Sequence, residues 1–329
     1  MQSLVLTQDG LQLADTPRPP LMPGDVRIEV RAVGVCGTDI AIWRGDYETN
    51  LPIVLGHEIT GVIHESSVPE LKPGTLVTTE VEVSCSRCWY CRHNQRRLCA
   101  NREILGVTTD GGLSEYLTVP AELVHSLPLG VDVIAGVFIE PLASAIKTYE
   151  EVPAAEDEPI VVIGSGRLGL LTAQVYDAYG ANVIVLGKNR WRLGLVRQLG
   201  IPNTISSEDE DWKERIRELT TDQGPRVVIE ATGNGDGFRM GLEIIRSGGR
   251  LALKSIHDKM VEFNPSELVT RDLKLIGTSS GPFEKAIDML DKGRIEVKRM
   301  ITKRFKLEDG AKAFELAADP NTTKVVINI

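Results

Sequence analysis

Four cysteines crowd into one short stretch of the chain, at positions 85, 88, 91 and 99. Two-residue gaps let the first three thiolates converge on one ion, and a longer loop lets the fourth thiolate reach the same ion. Four thiolates fill every position of a tetrahedral zinc ion, so such a site is structural rather than catalytic. Free surface thiols are the alternative, but so many together would be a reactive liability. We therefore predict a structural zinc on Cys85, Cys88, Cys91 and Cys99, in a reducing compartment where crowded cysteines favour metal over disulfides.

A second set of possible metal ligands is dispersed along the chain. It comprises Cys36, His57, Glu58 and Glu140. A thiolate, an imidazole and a carboxylate are the ligand types that zinc takes when one position stays open for water or substrate. Sequence spacing alone does not bring these residues together. For any one of them taken singly, a structural role is the default interpretation, such as a buried structural cysteine or a histidine satisfied in the core.

The segment 160–169 reads IVVIGSGRLG, an apolar β-branched run that stops at a glycine. Apolar residues at helical spacing follow, so the segment predicts a buried strand, a tight turn and a helix N-terminus. Gly164 would permit the turn, Gly166 would let backbone approach a pyrophosphate, and Gly169 would let helix and strand pack closely. We predict a dinucleotide site here, with a purely structural glycine turn as the alternative. The cofactor contacts expected in the turn are Gly164, Gly166, Arg167, Leu168 and Gly169.

The elements that must position these residues change character along the chain. Alternating apolar and polar residues, broken by prolines, predict an all-β barrel up to about residue 145. After an acidic bridge at 150–158, strand candidates alternate with helix candidates, which indicates a doubly wound parallel sheet. The tail is similar to the first region, so we expect it to return there. The predicted fold is α/β, with a catalytic domain of residues 1–149 and 283–329 and a dinucleotide-binding domain of residues 150–282.

Within the second domain the sequence predicts regularly spaced strands and helices. The strands lie at 160–163, 182–186, 226–230, 250–254 and 273–277, with a weaker one at 203–205, and the helices lie near 168–179, 190–199, 208–219, 236–246 and 265–271. Ser207 and Glu210 have the spacing of a capping box, which predicts where the third of these helices begins.

Composition excludes several classes of function. The 329 residues carry a net charge of −9, which argues against nucleic acid as a partner. No apolar run approaches the roughly 20 residues that span a bilayer. The N-terminal residues lack the charged start and apolar core of a signal peptide. We therefore expect a soluble, cytoplasmic protein with no nucleic-acid or membrane partner.

Several motifs occur together and in order along the whole chain. They are CGTD at 36–39, GHE at 56–58, the four-cysteine loop, GGLSEYLTVPAELVHSLP at 111–128, EPLASA at 140–145 and the GSGRLG turn. In this combination the chain resembles the zinc-dependent medium-chain dehydrogenases of the alcohol dehydrogenase superfamily. Glu140 stands where the alcohol dehydrogenases of liver and yeast carry a cysteine, which makes the chain similar to the sorbitol, threonine and glucose dehydrogenase branch.

The resemblance implies a fold and a set of roles. The fold would be a GroES-like β-barrel catalytic domain interrupted by a Rossmann domain. Cys36, His57 and Glu140 would bind a catalytic zinc, and Glu58 would be an outer or exchanging ligand. Thr38 would take the proton of the substrate hydroxyl.

Two positions depart from the family pattern. Where the family often has a proton-relaying histidine, five residues after the ligand cysteine, this chain has Ala41, so a cofactor ribose hydroxyl or ordered water must replace the relay. Gly187 stands where an NAD enzyme places an acid on the ribose 2′-hydroxyl. We expect this glycine to leave room for a 2′-phosphate paired with nearby cations, so NADP is favoured over NAD. The alternative is that these cations simply open a helix. The remaining cofactor contacts expected are Gly187, Lys188, Asn189, Arg190 and Thr232.

The function implied is hydride transfer between a secondary alcohol, polyol or sugar and NAD(P), with catalytic and structural zinc. The partner would be a small molecule, and the resemblance favours a homo-oligomer, a tetramer over a dimer. The alternative is a non-catalytic relative, a zinc-stabilised nucleotide-binding sensor or structural protein. A missing ligand would favour that alternative, and none is missing.

Overall fold

A computed structural model describes residues 1–257 and 260–329, and the chain divides into two units. Unit 1 comprises Met1–Glu140, Phe283–Lys292 and Ile301–Ile329, and unit 2 comprises Pro141–Pro282 and Gly293–Met300. The division differs from the predicted boundaries at 141–149 and 293–300, which both fall in unit 2. Long-range hydrogen bonds explain the difference. Thr148 Oγ1 lies 2.9 Å from Thr278 Oγ1, and Glu296 N donates to Gln174 Oε1 at 2.8 Å.

Strands form the sheets of both units. The strands of the described residues are, in chain order, β1 (Gln2–Thr7), β2 (Gly10–Asp15), β3 (Asp25–Gly34), β4 (Ile53–Val54), β5 (Glu58–Ser66), β6 (Leu76–Thr79), β7 (Glu82–Val83), β8 (Glu103–Ile104), β9 (Tyr116–Pro120), β10 (Val124–Ser126), β11 (Pro159–Ile163), β12 (Asn182–Gly187), β13 (Asn203–Ser206), β14 (Val227–Glu230), β15 (Arg250–Leu253), β16 (Lys274–Gly277), β17 (Ile301–Lys306) and β18 (Lys324–Asn328).

The main sheet of unit 1 has the order β10-β6-β5-β3-β18-β17, and β9 also pairs with β3. The long strand β3 is its centre because Val26, Ile28 and Val30 alternate with more polar residues and are fully buried. A three-stranded sheet, β2-β1-β4, and the small β7-β8 ribbon complete the unit. Two strands of the tail, β17 and β18, belong to this main sheet, so the chain returns to the first region as the sequence predicts.

Unit 2 is built on a six-stranded sheet with the order β13-β12-β11-β14-β15-β16. Every neighbouring pair is parallel, and residues of β11, β12 and β14 are almost entirely buried. The order reverses between β11 and β14, which is the place where open parallel sheets bind ligands. The doubly wound parallel sheet predicted from the sequence is confirmed.

The helices connect these strands. They are α1 (Gly37–Arg44), α2 (Trp89–Arg92), α3 (Val133–Gly136), α4 (Ile139–Glu151), α5 (Arg167–Ala178), α6 (Arg190–Gln198), α7 (Trp212–Leu219), α8 (Gly235–Ile244), α9 (Ser266–Thr270), α10 (Phe283–Asp291) and α11 (Gly310–Ala317). Across residues 1–257 and 260–329, none of them has both the length and the apolar content to cross a membrane.

The predicted capping box at Ser207 and Glu210 is wrong. Helix α7 begins at Trp212, after Asp211. The residues before it form a turn instead, in which Glu208 N donates to Ser206 Oγ at 3.3 Å and Asp209 N to Ser206 O at 3.2 Å. The turn places two acidic side chains beside cations of α6 and of the residues just before it, where they form ion pairs.

Candidate metal centres and cofactor site

Strand register brings Cys36 and His57 to the same edge of the main sheet of unit 1. Strands β3 and β5 are antiparallel, with Gly34 opposite Glu58. The residues that follow β3 and those that precede β5 therefore lie side by side at the same edge of the sheet. Cys36 lies at the N-cap of α1, and His57 lies just before β5.

Asp39 ties these two segments to each other. Its carboxylate is fully buried and accepts hydrogen bonds from Cys36 N at 2.8 Å and from Gly56 N at 3.1 Å. His57 Nδ1 is buried 3.4 Å from Asp39 Oδ1, near enough for electrostatic attraction although not aligned for a hydrogen bond. Asp39 is not among the site residues predicted from the sequence. Its position three residues after Cys36, in the first turn of a helix, is a signal that could have found it.

The charge around His57 suits a cation. Burial lowers the pKa of the imidazole, but the Asp39 carboxylate and the Cys36 sulfur beside it raise that pKa further, so the net result lies well above the ordinary range. A buried imidazole beside a carboxylate and a sulfur is therefore a place where positive charge is favoured. Zinc fits this donor set, because a histidine that binds zinc commonly has a carboxylate beside its other ring nitrogen.

Glu58 has a different partner. Its carboxylate forms an ion pair with Lys324 Nζ, and both side chains are 1 % exposed. The carboxylate covers Gly34, where an added Cβ would lie 2.1 Å from Glu58 Oε2. Lys324 Nζ also lies 5.6 Å from the centre of the Phe138 ring. Sequence reasoning missed Lys324, because a lysine opening an apolar strand is ordinarily exposed.

Thr38 and Glu140 lie at the ends of two helices of this region. Thr38, in the first turn of α1, places Oγ1 3.9 Å from Cys36 Sγ. Glu140 is the second residue of α4, half-buried, two residues after Phe138. Within the described residues, Cys36, His57 and Glu140 do not form a set whose ligand atoms all lie within 4.8 Å of one another. The structure therefore brings Cys36 next to Thr38 and His57, whereas the predicted ligand set that includes Glu140 does not reach that spacing in the part of the chain that the structure describes.

In the four-cysteine loop the ligand atoms are close enough together to hold one metal ion. The sulfur atoms of Cys85, Cys88, Cys91 and Cys99 lie within 4.8 Å of one another. Cys88 Sγ is 3.5 Å from Cys91 Sγ and 3.7 Å from Cys99 Sγ. Four sulfurs bound to a zinc at about 2.3 Å would be about 3.8 Å apart, so the loop fits a tetrahedral zinc.

The cysteine thiols of this loop differ in pKa. Backbone N–H groups of Arg87 and Cys88 lower the pKa of Cys85 to about 6. The N–H of Cys91 likewise lowers the pKa of Cys88, whereas burial raises the pKa of Cys91 to about 11. The lowered pKa values favour the thiolate, the form that binds metal, at Cys85 and Cys88, whereas the raised pKa of Cys91 opposes it.

In unit 2 the glycine turn after β11 has the geometry of a phosphate cradle. Gly164 has a φ of 117°, which favours glycine, and an added Cβ at Gly169 would lie 2.0 Å from Gly164 O. At Gly166, the N-cap of α5, the nearest atom to an added Cβ is Arg192 Nη1 at 3.9 Å. Gly166 therefore leaves an approach open to the start of a helix, as a pyrophosphate requires. Arg167 and Leu168 begin α5 and are half-buried.

The end of β12 packs closely against the glycine turn. An added Cβ at Gly187 would lie 2.6 Å from Ser165 Oγ and 3.2 Å from Leu193 Cδ2, so any side chain at this position would have to displace Ser165. Lys188 lies 3.7 Å from Glu208, and Arg190 Nη2 donates to Asp209 Oδ1 at 2.6 Å. Asn189 caps α6 by accepting from Arg192 N at 3.0 Å.

Buried polar groups line the ends of β14 and β15. Glu230 is 2 % exposed, and its carboxylate accepts from Thr232 N at 2.6 Å and from the hydroxyls of Thr232 and Ser255. Lys254, 4 % exposed, donates from Nζ to Ser279 O at 2.8 Å. These contacts fix Thr232, a predicted cofactor residue, at the carboxyl end of the sheet.

Comparison with known proteins places this geometry in a family. Residues 22–129 match the alcohol dehydrogenase GroES-like domain, and residues 168–292 match the zinc-binding dehydrogenase domain. A sorbitol dehydrogenase of Halalkalibacterium halodurans is 31 % identical over 99 % of both chains. A D-arabitol-phosphate dehydrogenase of Enterococcus avium is 31 % identical over 97 % of this chain and 94 % of its own.

Solved structures agree with these matches. A zinc-binding dehydrogenase from Sinorhizobium meliloti 1021, bound to NADP, superposes with a TM-score of 0.93 at 28 % identity, over 100 % of this chain and 99 % of that one. An alcohol dehydrogenase from Escherichia coli CFT073, complexed with NADH, gives the same TM-score, identity and coverage.

The chain belongs to the zinc-type medium-chain dehydrogenases. It is an oxidoreductase with a GroES-like domain and a Rossmann domain, and it uses zinc and a nicotinamide cofactor. The predicted family, fold class and enzyme class are confirmed. The alternative of a non-catalytic sensor loses its support, because the named relatives are dehydrogenases.

Proposed function

We propose that this enzyme oxidises a secondary hydroxyl of an alcohol, polyol or sugar and transfers the hydride to NADP in preference to NAD. Zinc would be held for catalysis by Cys36, His57 and Glu140, with Glu58 outside them, and for structure by Cys85, Cys88, Cys91 and Cys99. The buried carboxylate of Asp39 carries the proposal, since it joins the Cys36 and His57 segments around one anionic centre. Relatives named for sorbitol and D-arabitol phosphate favour a polyol as the substrate.

The residues of this chain would act by orientation and proton transfer. A bound zinc supplies Lewis-acid polarisation of the substrate hydroxyl, and a bound nicotinamide accepts hydride. Asp39 holds the His57 ring in place from its Nδ1 side, which leaves the other ring nitrogen for the metal. Thr38 Oγ1, 3.9 Å from Cys36 Sγ, would accept the proton of the substrate hydroxyl while releasing its own. With Ala41 in the relay position, that proton leaves through water or a cofactor hydroxyl.

One experiment tests the catalytic assignment. The wild-type enzyme is assayed with polyols, aldoses and secondary alcohols against NADP and NAD, and its zinc content is measured. Cys36→Ser and His57→Ala are expected to abolish turnover and to lower zinc content while the fold is kept. His64→Ala is a matched control, because this histidine lies exposed on the same strand as Glu58. Substantial activity with full zinc in His57→Ala would refute the assignment.

The preference for NADP has its own test. Gly187→Asp would introduce the acid of an NAD enzyme, but its side chain would also collide with Ser165. Dissociation constants of NADP and NAD for the unmodified enzyme, measured by calorimetry, avoid that problem. We expect tighter binding of NADP, and equal or tighter binding of NAD would refute the preference.

The remaining assignments rest on the sequence. We propose a homotetramer on the family resemblance, to be tested by light scattering on the zinc-loaded enzyme. We propose a reducing, cytoplasmic location because the crowded cysteines are placed to bind metal.

A further inference from the structure

A cavity of about 290 Å³ lies at the outer edge of the parallel sheet of unit 2. Its lining includes three arginines and a single acid: Arg190, Arg197, Arg215 and Asp209. These side chains come from α6, from α7 and from the turn between β13 and α7. The lining therefore carries an excess of positive charge, which suits an anionic group.

The cavity adjoins the end of β12. Ser206, which lines it, is directly opposite Gly187 in the β12–β13 register. Leu193 also lines it and lies 3.2 Å from where a Cβ at Gly187 would be. In sheets of this class the adenosine ribose of a dinucleotide lies at the end of the second strand. The cavity is thus next to the place where the ribose 2′-substituent is expected.

Asp209 already bridges two of the arginines. Its Oδ1 accepts from Arg190 Nη2 at 2.6 Å, and its Oδ2 accepts from Arg215 Nη1 at 3.1 Å. The third, Arg197, donates from Nη1 to Thr204 Oγ1 at 2.6 Å. A 2′-phosphate that binds Arg190 and Arg215 must therefore share them with a carboxylate.

We propose that Asp209 determines how strongly this enzyme distinguishes NADP from NAD, by occupying Arg190 and Arg215 in competition with the 2′-phosphate. Arg215 is the second cation of that subsite. The inference rests on the proposed use of NADP. A carboxylate about 5 Å from a phosphate dianion in a water-like environment weakens its binding by roughly five- to tenfold. NAD, which has a hydroxyl in place of the phosphate, is nearly indifferent to this charge.

The test compares nucleotide binding to the zinc-loaded enzyme by calorimetry. Asp209→Asn removes the charge but keeps an oxygen that accepts from one arginine. We expect NADP to bind about five- to tenfold more tightly to this variant, with the NAD dissociation constant changed less than about twofold. Glu218→Gln is the charge-matched control, because Glu218 is exposed on α7 and does not line the cavity, and we expect it to change neither constant.

A second pair of variants addresses Arg215. We expect Arg215→Gln to weaken NADP binding by about tenfold and to leave NAD binding unchanged, because a guanidinium–phosphate pair is lost. Arg217→Gln, an exposed position two residues further along the same helix, is the control. An unchanged ratio of NADP to NAD affinity in both Asp209→Asn and Arg215→Gln would overturn the inference. Failure of the wild-type enzyme to bind NADP would instead overturn the proposed cofactor preference.

Discussion

The buried ion pair between Glu58 and Lys324 gives the sharpest stability prediction. Replacing Lys324 with Met keeps the length of the side chain and its packing beside Phe138, but it leaves the Glu58 carboxylate buried without its counter-charge. Both side chains are 1 % exposed, so water cannot replace the lost ammonium without a rearrangement of β5 or β18.

The expected cost follows from this burial. Removing one partner of a buried pair destabilises a protein by about 3–5 kcal/mol. For a unit of this size, each kcal/mol lowers the melting temperature by about 2–4 °C, so Lys324→Met should melt roughly 6–20 °C below the wild type. The double variant Glu58→Gln with Lys324→Met removes both charges and should recover most of that loss.

Calorimetric melting of the zinc-loaded enzyme measures the effect. Lys312→Met is the matched control, since Lys312 pairs with Asp309 at 2.7 Å on an exposed part of α11 and its loss should change the melting temperature little. The reasoning would be refuted by a Lys324→Met enzyme that melts within 2 °C of this control.

Three further predictions concern other sites. Asp39→Asn should lower zinc affinity at the catalytic centre by about ten- to a hundredfold, read by competition with a chelator, because the carboxylate orients His57. Cys91→Ser should reduce the zinc content by about one ion per chain, measured by mass spectrometry, because four thiolates close the site. Arg226 holds the pKa of Glu158 below its usual range by hydrogen bonding to it, so this pair stabilises unit 2 above about pH 4.3 and the contribution is lost as pH falls through the lowered pKa. Glu158→Gln should therefore cost about 1 kcal/mol at pH 7 in urea unfolding, and equal stability of variant and wild type at pH 7 would contradict this account.

Features that depend on neighbouring residues were predictable from the sequence. The strand at 160–163 and the helix after it are seen as Pro159–Ile163 and Arg167–Ala178, because an apolar run, a glycine turn and a helical period are all local signals. The four cysteines are equally local, since their spacing alone limits how far apart the sulfurs can lie.

Features that depend on tertiary contacts were not predictable from the sequence. The predicted helix start at Ser207 is wrong, because the residues there form a turn whose Glu208 and Asp209 pair with Lys188 and Arg190 from the end of a different strand. The close packing of Gly187 against Ser165 depends on where the preceding glycine turn places that serine. In both cases the local pattern was compatible with several structures, and contacts between separate segments distinguish the observed one.

Lys324 shows why such contacts escape a reading of the sequence. It lies 266 residues from Glu58, and nothing in the segment KVVINI distinguishes a buried lysine from an exposed one. Only the strand order, with β3 between β5 and β18, brings the two charges over the same residue, Gly34. The glycine is what makes the pair possible, because any side chain at position 34 would occupy the space of the carboxylate. A buried acid such as Glu58, next in sequence to the expected zinc ligand His57, therefore implies a cation from a distant part of the chain. A glycine opposite that acid in the neighbouring strand, here Gly34, indicates where the carboxylate must lie.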